Sequence, residues 1–134
     1  MPQYNLNMRR LFVLPRYQRE AAKLLNAGDQ DEMERHIADD PERHPRSPGG
    51  GGMRKARWAR SGGGKRGGVR VIYYFAAPES VYFISVYAKN EKENLSGAEK
   101  QALSKILQPI KQQEHEARSR VGGISQRNRK THEG

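Results

Sequence analysis

The chain has 134 residues, no cysteine and a formal net charge of +10, and 34% of its residues are hydrophobic. That length supports one domain with one modest core, and an apolar share below the usual 45–50%, roughly, puts polar segments outside it. Without cysteine there is no disulfide framework, thiolate nucleophile or thiolate metal site.

In chain order, residues 1–9 read as an N-terminal extension. Arg10-Leu11-Phe12-Val13-Leu14, closed by Pro15, suits a first strand. Over 17–25, Tyr17, Ala21, Leu24 and Leu25 recur at helical spacing. Gly28 is expected to stop that helix and Asp29 to cap the next, where Met33 and Ile37 line one face. Together they form a helical hairpin. Residues 40–52 hold Pro41, Pro45, Pro48 and the run Gly49-Gly50-Gly51-Gly52, which excludes regular structure and marks a long functional or mobile connection.

Residues 53–60 then alternate, with Ala56 and Trp58 toward one face and Lys55 and Arg57 toward the other. A glycine-rich turn over 61–68 leads into Val69-Arg70-Val71-Ile72-Tyr73-Tyr74-Phe75, whose β-branched and aromatic residues predict a strand. After the turn Ala77-Pro78-Glu79-Ser80, residues 81–88 predict another. Three strands with short turns imply an antiparallel meander. Ser96 and Glu99 make a capping box, opening a helix striped by Leu103, Ile106, Leu107 and Ile110. Pro109 is expected to end that helix near Gln108. Residues 113–134 read as a basic, disordered tail, with no apolar periodicity from Arg118 onward. The expected domain, 10–112, is therefore α+β: a small antiparallel twisted sheet with helices on one face and the other face open to a ligand.

Positive charge is concentrated. Residues 53–70 carry seven Lys or Arg and no acid, and residues 117–134 carry five against the single acid Glu133. Elsewhere acids and bases nearly cancel. A local basic stripe is the footprint of a polyanion partner such as nucleic acid. A basic tail is more often a solvated one. The start of the chain lacks an apolar targeting stretch, and residues 69–86 are interrupted by Arg70, Pro78, Glu79 and Ser80, so the cytoplasm is the expected compartment.

Lys55 and Arg57, two residues apart on a strand, leave one face about 7 Å from each other. Arg70 at the start of the next strand and Lys89 after the last are placed to join them. Arginine grips phosphate bidentately and lysine acts as a point charge. Cleavage of RNA by its own 2′-hydroxyl needs such cations to stabilise charge on phosphorus, and groups to move two protons. His36, His44, His115 and His132 all lie off the basic strands, so a paired-histidine mechanism is not expected. A lysine crowded by like charge is a sensible base; Arg57 and Arg70 suit charge stabilisation. Gly62-Gly63-Gly64-Lys65 fails the Walker pattern, with Ala59 and Arg66 at its key positions. The acids show no metal spacing, so no metal or cofactor is expected. Trp58, Tyr73, Tyr74 and Tyr82 are expected to be mainly core, with Trp58 facing the helices.

Three ordered blocks carry a family resemblance: Gly52-Met53-Arg54-Lys55-Ala56-Arg57-Trp58-Ala59-Arg60, then Gly64-Lys65-Arg66-Gly67-Gly68-Val69-Arg70-Val71-Ile72-Tyr73-Tyr74-Phe75, then Tyr87-Ala88-Lys89-Asn90-Glu91-Lys92. Over about residues 10–112 the chain resembles the RelE/HigB superfamily of toxins, nearest the HigB-like branch. The resemblance implies a RelE-like fold and a type II toxin acting as a metal-independent mRNA endoribonuclease on the translating ribosome, so inhibiting translation. It implies mRNA and ribosomal RNA as partners, and a cognate antitoxin, commonly a helix-turn-helix protein through which alone the toxin meets DNA. It assigns catalysis to Lys55, Arg57, Arg70 and Lys89, and RNA contacts to Arg54, Arg60, Lys65, Arg66, Asn90 and Lys92. Two features depart from the family pattern: no tyrosine follows Tyr87, and His44-Pro45-Arg46-Ser47-Pro48 replaces the usual approach to the first basic strand. The competing expectation is a non-catalytic RNA- or ribosome-binding protein descended from such a toxin, using the same basic face.

Overall fold

The computed structural model describes residues 3–4, 9–61 and 67–130, with side chains over 9–61 and 67–119. Its elements in chain order are β1 (Gln3–Tyr4), β2 (Arg10–Val13), α1 (Pro15–Leu24), α2 (Ala27–Asp39), β3 (Arg54–Ala59), β4 (Gly68–Ala76), β5 (Ser80–Ala88) and α3 (Gly97–Lys130). The α+β class and the strand–helix–helix–three-strand–helix order are as expected. The five strands lie in the order β1-β2-β5-β4-β3. β3, β4 and β5 form the antiparallel meander, whereas β2 pairs parallel to β5, so the sheet is mixed. A parallel neighbour needs a crossover, and the α1–α2 hairpin with β3 and β4 provides it. β1, in the stretch read as an extension, adds two residues antiparallel to β2.

Pro15 opens α1 at the position where its missing N–H costs nothing. Asn26, rather than Asp29, caps α2: its Oδ1 accepts the Asp29 N–H at 2.7 Å, and Gly28 lies inside the first turn. An acceptor three residues before the amide is what an N-cap requires. The Asp29 carboxylate instead accepts the Ser61 N–H and hydroxyl at 2.9 and 2.8 Å.

Helices cover both faces of the sheet. On one, Tyr17, Met33 and Ile37 of the hairpin pack on Val69, Val71, Tyr73 and Phe83. On the other, Leu103, Leu107 and Ile110 of α3 pack on Ile72, Tyr82 and Ile84. This corrects the expectation of one wholly open face. Every residue of β5 is buried, the signature of a strand covered on both sides. The α3 stripe has to bury somewhere, and the hairpin already occupies the first face.

α3 also runs through Pro109 to Lys130, past the stop expected near Gln108 and through residues read as an irregular tail. Ile110, 8% exposed, anchors the turn after the proline. The strong helix formers of Lys111-Gln112-Gln113-Glu114 then carry it on.

One irregularity matters for the site. Ile72 opposes Ser85 while Tyr73 opposes Phe83, so Ile84 is the extra residue of a β-bulge. The Glu20 carboxylate accepts the Ser85 hydroxyl at 2.8 Å and the Val86 N–H at 3.1 Å. After the bulge the alternation resumes, and Tyr87 joins the α3 face.

Candidate active site

β3 is an edge strand, and its alternation sends Lys55 and Arg57 to the α3 face. In register, Arg57 opposes Arg70 and Lys55 opposes Ile72. These three basic side chains therefore share a face. They sit at the end of it that the α3 stripe leaves, beside the segment 89–96 that links β5 to α3. Gly68 makes the close approach possible: a Cβ there would lie 2.9 Å from the Trp58 carbonyl oxygen. The Gly68 carbonyl accepts the Lys89 N–H at 2.9 Å, which holds Lys89 next to the start of β4. Arg57 and Lys89 are exposed, and Lys55 is half-buried.

Arg70 differs, with a side chain only 5% exposed. Its Nε and Nη2 donate to Glu93 Oε1 at 3.2 and 3.0 Å, and its Nη1 to the Val69 carbonyl at 3.4 Å. Glu93 lies above it, 53% exposed. The Arg70 hydrogen bonds, and behind them the charges of Arg70, Lys89 and Arg57, hold the Glu93 carboxyl below the usual range. One acid thus sits in the field of three of the cations. Lys55 Nζ donates to Asn94 Oδ1 at 2.9 Å. Tyr87 lies beneath the same segment, its hydroxyl donating to the Glu93 carbonyl at 3.4 Å, and burial pushes its pKa up.

Lys55, Arg57, Arg70 and Lys89 are therefore brought together. The other expected RNA contacts divide. Alternation sends Arg54 to the opposite face, where it donates to the His44 and Glu42 carbonyls at 2.7 and 3.3 Å and braces the 40–52 connection. Arg60 donates to the Gly67 and Leu24 carbonyls at 3.2 and 3.4 Å, tying the β3–β4 turn to α1. Both serve structure in this arrangement. Lys92 pairs with Glu99 and lies 5.2 Å over the Tyr87 ring, at the margin of the cluster. Asn90 is exposed in the turn after β5. Lys65 and Arg66 lie outside the described residues.

Tyr73 and Tyr82 are core residues, 0% and 7% exposed. Trp58 packs toward the hairpin, 5.4 Å from the His36 ring. The capping box forms in both directions: Ser96 N–H to Glu99 at 2.8 Å and Glu99 N–H to the Ser96 hydroxyl at 3.1 Å. Glu93 and Asn94 are the site residues that sequence reasoning missed. The available signal was an acid and an amide in the segment directly after the last basic block. Among the described residues, no three His, Asp or Glu side chains gather as metal ligands would, and no helix is long and apolar enough to cross a membrane.

The arrangement can hold one phosphate between exposed cations, with a buried guanidinium beneath and a carboxylate alongside. A comparison with family models gives one match: the family described as the RelE toxin of the RelE/RelB toxin–antitoxin system, over residues 44–123.

Proposed function

The chain belongs to the RelE toxin family, and from that premise we propose that it is an mRNA endoribonuclease of the HigB-like branch that cuts messages on the translating ribosome. The α+β fold agrees with a RelE-like architecture, and membership of a toxin–antitoxin family brings an antitoxin partner. We take that partner to be a helix-turn-helix protein and the working compartment to be the cytoplasm. The observation that carries the reading is the convergence of Lys55, Arg57, Arg70 and Lys89 at one end of one sheet face.

Arg57 and Lys89, exposed on either side of Arg70, hold the scissile phosphate. The 2′-oxygen of the preceding ribose attacks phosphorus, and the bond to the 5′-oxygen breaks. The products are a 2′,3′-cyclic phosphate and a 5′-hydroxyl. The Arg57 and Arg70 guanidiniums stabilise the charge that grows on the phosphoryl oxygens. Lys55, with its ammonium oriented by Asn94, supplies the proton that the leaving oxygen needs. The Glu93 carboxylate is ionised at neutral pH and keeps the Arg70 fork aimed outward.

Induction of the protein should arrest growth and leave messages cut with 5′-hydroxyl ends, and Arg57→Ala should abolish both at equal expression. Normal growth with intact messages would refute the reading. Salt-sensitive RNA binding without any cut would instead support the non-catalytic RNA- or ribosome-binding alternative.

A further inference from the structure

A cavity of about 330 Å³ adjoins the basic cluster and shares Lys55 with it. Its floor is apolar and flat: Ile72, Tyr87 and Leu95. Asn94 and Lys100 join Lys55 at the rim. We propose that this cavity receives the nucleobase next to the scissile phosphate, and that it favours a carbonyl-bearing base, guanine or uracil, over adenine. The inference rests on the RNA-cleaving reading above and names the feature of the substrate that the site selects.

Size comes first. The volume is at the small end of the range of about 300–1,000 Å³ typical of ligand pockets, and suits one ring system. Position comes second. Ile72 follows Arg70 by two residues on β4, which separates floor and guanidinium by about 7 Å along the strand. That is the scale separating a phosphate from the base of a neighbouring nucleotide. A phosphate on Arg57 and Lys89 would therefore set its base over Ile72 and Tyr87.

Rim chemistry sets the preference. The Lys55 ammonium has only donors, so its 2.9 Å contact fixes Asn94 Oδ1 toward Lys55 and turns the carboxamide NH₂ outward. The rim then presents donors: that NH₂ and the ammonium groups of Lys55 and Lys100. Guanine O6 and uracil O4 accept from such donors, whereas adenine presents an amino group at the equivalent atom. A buried donor left without an acceptor is penalised, which is how hydrogen-bonding sites reject the wrong ligand. The walls are well supported. Lys100 Nζ donates to the Pro48 carbonyl at 3.1 Å, which ties the 40–52 connection to α3 across the cavity mouth.

Sequencing the 5′-hydroxyl ends produced in cells by the native chain and by Asn94→Ala tests this directly. Because base frequency at the cut is the readout, a change in total rate does not confuse it. For the native chain, guanine or uracil should exceed adenine by about fivefold at one fixed position, the discrimination of one net hydrogen bond. In Asn94→Ala that excess should fall toward background. Equal use of adenine by the native chain, or an unchanged preference in Asn94→Ala, overturns the inference while leaving the cleavage reading intact. If the native chain leaves RNA uncut, the cleavage reading fails, and titration of the full chain with uridine 3′-monophosphate judges the pocket alone. Shifts at the Leu95 and Asn94 side-chain resonances, absent with adenosine 3′-monophosphate, support it. Their absence with both nucleotides overturns it.

Discussion

Arg70→Ala removes the one charge buried beneath the site. In the structure its guanidinium lies 3.0 Å under the Glu93 carboxylate. A phosphate seated at the level of that carboxylate or slightly above it is then about 5 Å from the charge. At an effective dielectric of about 20 the attraction is about 3 kcal/mol, and a phosphoryl group gaining charge in the transition state draws on it. Losing most of it slows cleavage by on the order of 10²-fold. The assay is single-turnover cutting of a defined message on programmed ribosomes, with thermal melts of the same samples to separate lost charge from lost fold. Arg70→Lys keeps the charge but not the two-pronged grip on Glu93, so it should fall between, with a loss of about tenfold. If folded Arg70→Ala cuts within about threefold of the native rate, the charge argument is wrong and Arg70 only props up Glu93.

Glu93→Gln removes the acid from the field of Arg57, Arg70 and Lys89. RNA binding should tighten severalfold with a steeper salt dependence, measured by fluorescence anisotropy; unchanged affinity would show that the carboxylate does not compete with phosphate. Leu107, 0% exposed under α3, should cost about 2–5 kcal/mol when truncated to Ala, read from urea unfolding. A cost below about 1 kcal/mol would contradict the covering of the second sheet face by α3. His44 is held below its ordinary pKa by burial first, then by the charges of His36 and Arg43, with Asp40 opposing. The unfolded chain then takes up the proton more readily than the folded one, so stability is full above about pH 6.5 and falls as the pH drops below it. His44→Asn should flatten the dependence of Tm on pH over that window; an unaltered slope would assign it elsewhere.

Particular residues explain what was legible in the sequence. The period-two alternation at Lys55 and Arg57 sets their shared face, and the meander then brings Arg70 opposite Arg57. The Ser96–Glu99 box is local and formed as read. Covering of the second face by α3 was written in the unbroken apolar run of β5, but a run covered on both sides resembles one that is merely hydrophobic. Pairing of β2 with β5 joins segments about seventy residues apart, and no local pattern encodes it. The charges of Arg54 and Arg60 were plain, yet only the tertiary fold turns them to loop carbonyls instead of outward. Glu93 is legible as an acid, but its seat over Arg70 depends on how the segment after β5 folds back. The bulge at Ile84, which returns Tyr87 to the site, leaves no signature in composition.

The most direct measurement is rapid-quench analysis of one end-labelled message in the ribosomal A site, mixed with the purified native chain and with Arg57→Ala. The account predicts a 5′-hydroxyl fragment and a partner ending in a 2′,3′-cyclic phosphate from the native chain, with neither from Arg57→Ala. A message that stays whole while the native chain is demonstrably bound to it, or equal cutting by both proteins, would contradict it.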